Sequence, residues 1–246
     1  MKILIACEES QRVCAEMRRL GHEAYSCDVQ EPSGGHPEWH ILGDVLKVLN
    51  PQELFIRRSY DCWYENAIRF ETMDRKEHIV PKWDMIIAHP PCTYLSNVAT
   101  RHHSLKCTSL DKINDRTFKR VEAMQFFLNF ANADCERIAI ENPVGVMNSC
   151  YRKPDQIIHP YFFAESEYDT ENYVTKATCL WLKGLKPLTY TELPKPDNKK
   201  IFGVLPSGKA KTWEDSASRI GGAAKSRSKT FPGIARAMAD QWAGQA

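Results

Sequence analysis

Two short apolar runs that stop at prolines, together with a strand-helix-strand opening, predict an α/β fold. Its core is a largely parallel sheet with helices on both faces, followed by a small irregular C-terminal lobe. The first run is Met85-Ile86-Ile87-Ala88, led by Asp84 and closed by His89-Pro90-Pro91-Cys92. Four residues apolar on both faces mark a strand buried between helix layers. Two successive prolines cannot donate to a sheet ladder, so this strand ends at His89. The second run, Ile138-Ala139-Ile140, repeats the grammar with Glu141-Asn142-Pro143 at its tip.

The opening of the chain supplies the third observation. Lys2 to Ala6 reads as a buried strand, and Ser10 to Leu20 as a helix with Val13, Met17 and Leu20 at helical spacing and Gly21 as its stop. Glu23 to Cys27 is a second strand, ending at Asp28. This β-α-β unit is the start of a Rossmann-like sheet, in which ligands bind beyond the carboxyl ends of the strands. An acidic residue at the end of the second strand is placed to accept hydrogen bonds from a ribose, although a strand-end turn residue fits Asp28 as well. Asp44, in Leu42-Gly43-Asp44-Val45, ends or follows a third strand and is placed to meet a cofactor base.

Between these landmarks the pattern is mixed. Residues 53–82 form an aromatic and charged insertion, read as a helix near Tyr60 to Glu71 packed on the sheet edge. Thr93 to Ser109 is a polar loop containing His102-His103, placed to close over a substrate beside Cys92. Leu110 to Ala131 is the clearest helix, with Val121, Met124, Leu128 and Ala131 on one face. Tyr151 to Ala164 is irregular, Thr175 to Leu182 is an alternating strand stopped by Gly184, and Pro187 to Trp213 is loop-like. Thr230-Phe231-Pro232-Gly233 leads into a helix through Trp242, with Ile234, Met238 and Trp242 on its buried side. The organisation is therefore a core over 1–145, a small irregular lobe over 146–230 available to a substrate, and a terminal helix over 231–246.

At 246 residues the chain is long enough for a full core, and its net charge of +2 announces no whole-molecule field. Local charge is less even: from Lys195 to Arg236 ten basic residues face three acidic ones, a balance that suits phosphate contacts or a solvated tail. Nine cysteines are scattered with no C-x-x-C pair, which fits free thiols in a reducing compartment and gives no spacing for a metal site. No apolar run reaches the ~20 residues of a membrane span. The expected setting is the cytoplasm.

Cys92 stands on a proline-stiffened loop just past a buried strand. Position alone also fits a small buried cysteine, but a loop-tip thiol is better explained as a nucleophile. With Glu141 and Asn142 at the tip of a second strand, the chain holds a thiol and an acid, the minimum for covalent catalysis on an electron-poor ring.

In these motifs the chain resembles the DNA cytosine-5 methyltransferases, in the short form often carried by bacteriophages. That family's Pro-Pro-Cys loop matches Pro90-Pro91-Cys92, and its Glu-Asn pair matches Glu141-Asn142, in the same order and with one helix between. The resemblance implies an S-adenosylmethionine-dependent fold acting on DNA, in a bacterial host's cytoplasm if phage-encoded. Cys92 would add to carbon-6 of cytosine, Glu141 would hydrogen-bond or protonate the ring nitrogen through a carboxyl whose pKa burial has raised, and Asn142 would hold the Glu141 loop. The cofactor would lie against Ala6, Cys7, Glu8, Ser10, Asp28, Val29, Asp44, Val45 and Pro90. The base and its phosphate would meet Pro91, Thr93, Lys176 and Arg227. Short relatives close with a helix that returns to the first strand.

Three departures from the family stand out. Its Gly-rich loop is replaced by Ala6-Cys7-Glu8-Glu9-Ser10-Gln11, its Gln-x-Arg-x-Arg pattern is missing, and only 144–230 remain to read DNA. Two alternatives follow: a nucleic-acid-binding protein on a degenerate methyltransferase fold, or a related enzyme acting on a pyrimidine of RNA or a free nucleotide, or carrying another one-carbon group.

Overall fold

In the computed structural model, strand β1 (Lys2–Ala6) lies inside a sheet, parallel to β2 (Glu23–Asp28) on one side and β7 (Met85–Ala88) on the other. The structure describes residues 1–58, 61–97, 109–191, 193–197, 203–204, 210–211 and 229–244. Beyond β2 lies β3 (His40–Leu42), and beyond β7 lies β8 (Ile138–Pro143), both parallel. Strand β10 (Thr178–Lys183) runs antiparallel to β8, and β9 (Gln156–Ile158) closes the edge antiparallel to β10. The order is β3-β2-β1-β7-β8-β10-β9, a mostly parallel seven-stranded mixed sheet. The chain builds outward from β1 through β2 and β3, then restarts on the other side at β7. The carboxyl ends of β1 and β7 therefore flank a topological switch point, where open α/β sheets form a crevice.

Period-two alternation divides the sheet residues between two cores. Leu4, Ala6, Ile86, Ala88, Ile138, Ile140 and Trp181 face one side, against Phe127 and Phe130 of helix α2 (Leu110–Ala131). Ile3, Ile5, Met85, Ile87, Ala139 and Leu180 face the other, against Val13, Cys14 and Met17 of α1 (Arg12–Arg19) and Ile234, Met238 and Trp242 of the terminal helix α4 (Pro232–Trp242). Helices thus cover both faces, and α4 packs in the same core as β1. A short α3 (Met147–Cys150) follows β8. Among the described residues no helix is long and apolar enough to cross a membrane, and no disulfide joins Cys7, Cys14, Cys27, Cys92, Cys135, Cys150 or Cys179.

Four expectations are corrected. The helix expected near Tyr60 to Glu71 is instead strand β5 (Asp61–Glu71), paired antiparallel with β4 (Gln52–Arg58) and β6 (Glu77–Val80). Its inner end alternates strictly: Ile68, Phe70 and Thr72 are buried while Arg69 and Glu71 are exposed. Phe70 packs edge-on to Tyr25 with ring centroids 4.9 Å apart, so the insertion is held by a strand face and not a helical stripe. The first helix starts at Arg12 and not Ser10, because Gln11 takes a left-handed conformation (φ 56°) that interrupts it. The buried side of α2 carries Phe127 and Phe130, whereas Val121 is 59% exposed. Finally, the segment expected as a separate lobe over 146–230 supplies β9 and β10 to the central sheet, and β10 is buried from Thr178 to Leu182 without alternation.

Candidate active site

Strand register brings the two predicted tips together. Ala88 of β7 pairs with Ile140 of β8, so Pro90 and Asn142, each two residues further, come level. The Asn142 side chain is buried there and its Nδ2 donates to the Pro90 carbonyl at 2.7 Å. Asn142 therefore ties the proline loop to β8, a different service from holding the Glu141 loop. Pro90 is buried, while Pro91, Cys92 and Thr93 are exposed at the turn that follows.

That turn is stitched on three sides. The Leu95 and Ser96 amides both donate to the Cys92 carbonyl, at 3.1 and 3.0 Å. Val146 N–H donates to Leu95 O at 2.9 Å and Asn97 N–H to Val144 O at 3.1 Å, across a bridge between Ser96 and Gly145. A Cβ on Gly145 would run into the Leu95 carbonyl oxygen, so this close approach of two backbones requires glycine. From α2, Arg120 Nε donates to the Tyr94 carbonyl at 3.1 Å and the Arg116 guanidinium lies 5.1 Å from the Tyr94 ring centre. Burial, then the neighbouring Arg116 charge, lowers the basicity of Arg120. Among the described residues neither arginine has a carboxylate partner.

Glu141 points to the same end of β8. Its Oε2 lies 3.2 Å from His89 Nδ1, with the Glu141 side chain 17% and the His89 ring 6% exposed. Burial alone pushes the carboxyl up, but the hydrogen bond from His89, with the Lys176 charge behind it, outweighs burial, and the net direction is down. The raised carboxyl expected of Glu141 is thus corrected: its neighbours hold it ionised. Lys176 sits where its charge reaches Glu141, and its ammonium lies 5.5 Å from the centre of the Phe231 ring. Arg227, the His102-His103 pair and most of the basic segment lie outside the described residues. Of that segment's described ends, Lys229 donates to Ser33 Oγ at 2.8 Å and Arg236 pairs with Glu165 at 3.2 Å.

On the other side of the switch point, Asp28 and Asp44 converge. Asp28 pairs with Leu42 and its carbonyl accepts the Gly43 N–H at 2.9 Å, which sets Asp44 close by, and burial first, then the Asp28 charge, pushes the Cys7 thiol well up. Asp28 Oδ1 accepts from Gln30 N–H at 2.9 Å and Asp44 Oδ1 from Leu46 N–H at 3.0 Å. Each carboxylate's second oxygen has no hydrogen bond among the described residues. Val29, 75% exposed, offers an apolar surface beside them. Other expected cofactor contacts are turned inward. Ala6 and Val45 are buried in the core, Ser10 is buried, and the Glu8 carboxylate accepts the Val13 and Cys14 amides at 2.7 and 3.2 Å, capping α1. Glu8 is corrected on this ground, since its carboxylate is occupied by the helix. Cys7 itself has φ 59°, a left-handed turn made without glycine.

Sequence reasoning missed His89, Arg116 and Arg120. His89 is visible as the residue before the two prolines, but its partner depends on strand order; nothing in the spacing of Arg116 and Arg120 sets them apart from other charged residues of their helix. No protein-family model matches the chain, and no curated protein is significantly similar to it.

Proposed function

We propose that this protein is an S-adenosylmethionine-dependent DNA cytosine-5 methyltransferase on a Rossmann-like sheet. The observation that carries the reading is the 2.7 Å bond from Asn142 to the Pro90 carbonyl, which binds the Cys92 loop to the strand bearing Glu141. A nucleophile and an acid on adjacent strand ends of one crevice form the constellation needed to activate an electron-poor ring. The Cys92 sulfur bonds to carbon-6 of cytosine, the ring electrons shift toward carbon-5 and the ring nitrogen, and Glu141 meets that nitrogen. S-adenosylmethionine, when bound, supplies a methyl group on a sulfonium centre. A base then takes the carbon-5 proton and the thiolate leaves. A duplex substrate requires the cytosine to be flipped out of the stack.

The residues present fit that cofactor in two respects: the open oxygens of Asp28 and Asp44 suit ribose and adenine donors, and Val29 suits the adenine face. Asp28→Ala and Asp44→Ala are each expected to weaken cofactor binding by roughly tenfold or more, the loss of a charge-assisted hydrogen bond. Isothermal calorimetry checks this, and unchanged affinity in both variants removes the two residues from the site.

DNA phosphates fit the cations against the Cys92 loop, Arg116 and Arg120, and the basic segment from Lys195 to Arg236. Arg116→Gln should flatten the salt dependence of DNA binding by about one unit of slope, equally for all sequences. A loss confined to one target sequence would mean that Arg116 reads bases.

The decisive experiment is nucleoside mass spectrometry of DNA from expressing and non-expressing cells, with 5-methylcytosine as the expected product. One observation favours a second reading, a nucleic-acid-binding protein without catalysis: the loop after β1 is filled by its own Glu8 cap. Failure to bind S-adenosylmethionine in calorimetry would select that reading.

A further inference from the structure

Resting on that reading of the site, we propose that His89 is the positioning residue for Glu141, deciding which carboxyl oxygen meets the base. The His89 N–H of the backbone donates to the Ala6 carbonyl at 2.9 Å, which pins the residue across the switch point from β1. Its ring is buried, with a carboxylate of the neighbouring strand against it. Glu141, from β8, lies 3.2 Å from Nδ1. Glu8, from the loop after β1, is the acid on that side, its carboxyl pushed up by burial and held by the Val13 and Cys14 amides. Lys176, ahead of β10, acts on Glu141 through its charge. From the loop after β1 to the segment before β10, the ionisable groups run Glu8, His89, Glu141, Lys176.

The ring's two nitrogens are not equivalent. An ionised carboxylate only accepts, so Nδ1 must carry a proton to bond Glu141. Nε2 is buried with no partner among the described residues, where a bare lone pair costs less than an orphaned N–H. The site therefore selects the Nδ1–H tautomer, the less common one for a free neutral imidazole, and directs it at Oε2.

The consequence concerns Glu141. With Oε2 occupied by the His89 N–H, the proton that Glu141 takes from solvent as the base binds is accommodated on Oε1, the oxygen left to meet the ring nitrogen. As Cys92 adds to carbon-6, the ring nitrogen takes that Oε1 proton and the carboxyl returns to a carboxylate still held by Nδ1–H. His89 keeps its own proton throughout, and the same hydrogen bond serves both states of Glu141. It also holds Glu141 ionised until the base arrives.

Asparagine retains an N–H donor close to the Nδ1 position and alanine does not. The test compares His89→Ala and His89→Asn with the parent in covalent trapping by an oligonucleotide containing 5-fluorocytosine, across pH. His89→Ala should slow trapping about tenfold to a hundredfold, as expected for a lost charge-assisted bond. Its profile should extend to higher pH, because Glu141 loses a bond that holds its carboxyl down. His89→Asn should restore most of the rate. Trapping by His89→Ala at the parental rate and profile, or no rescue by asparagine, overturns the proposal. A second measurement needs no activity: imidazole nitrogen-15 shifts should place the His89 proton on Nδ1 in the parent and return it to Nε2 in Glu141→Ala. A proton on Nε2 in the parent overturns the proposal. If the parent traps no cytosine at all, the methyltransferase reading fails, while the nitrogen shifts still decide whether His89 is paired as described.

Discussion

Cys92→Ser forms no covalent adduct with a 5-fluorocytosine oligonucleotide and loses methyl transfer by at least about a thousandfold, equivalent to roughly 4 kcal/mol of barrier. A hydroxyl in place of the thiol is a far weaker nucleophile at neutral pH. The seven described cysteines make this a discriminating test, because Cys7, Cys14, Cys27, Cys135 and Cys179 have thiols whose pKa burial pushes up. Such thiols are poor sources of thiolate. Cys92 instead stands exposed on a turn at the carboxyl end of β7. Intact-protein mass spectrometry reads the adduct, and peptide mapping locates it. An adduct on any other cysteine, or one formed by the Cys92→Ser protein, would remove Cys92 from its assigned role.

Asn142→Ala is expected to damage both stability and activity. The substitution leaves the buried Pro90 carbonyl without its 2.7 Å donor, a loss of about 1–3 kcal/mol in denaturant unfolding. Activity should fall further than stability explains, by about a hundredfold, because a loop displaced by an ångström no longer aims its nucleophile. Asn142→Asp is the sharper variant: an ionised carboxylate cannot donate, and it sets a negative charge against a carbonyl oxygen. Its stability should partly recover as pH falls and the aspartate regains a proton to donate. If Asn142→Ala keeps parental trapping rates while only its stability drops, the bond is structural alone and the loop is aimed by its contacts with Gly145 and α2.

The chain made some elements legible before any coordinates. The apolar run Met85 to Ala88 could only be a doubly covered strand, since its residues have no polar side to show and two prolines bar its extension. Leu110 to Ala131 matched its expected bounds because a long amphipathic pattern allows little else. β5 was misread for the opposite reason. Its aromatic residues satisfy a helical spacing if counted loosely, and what makes it a strand is pairing with β4 and β6, whose partners lie elsewhere in the chain. Local propensity is outweighed by such non-local pairing.

The same division runs through the candidate site. Sequence by itself determined that a thiol, a carboxylate and an amide sit at strand ends closed by prolines, because covalent geometry at proline leaves no other course. It also determined that two further acids, Asp28 and Asp44, follow strands near the start of the chain. Only the tertiary structure decided that Pro90 and Asn142 stand level, since that depends on β7 and β8 being neighbours in register. Only it turned Glu8 inward, because the amides of α1 needed an acceptor that Gln11, bent into a left-handed turn, does not provide. It likewise decided the charge on Glu141. Burial, which the sequence implied, raises a carboxyl, but His89 and Lys176 arrive from two other strand ends and reverse the direction. Residue types and breaks are properties of the chain, whereas electrostatics is a property of distances between elements, and those exist only once the sheet has formed.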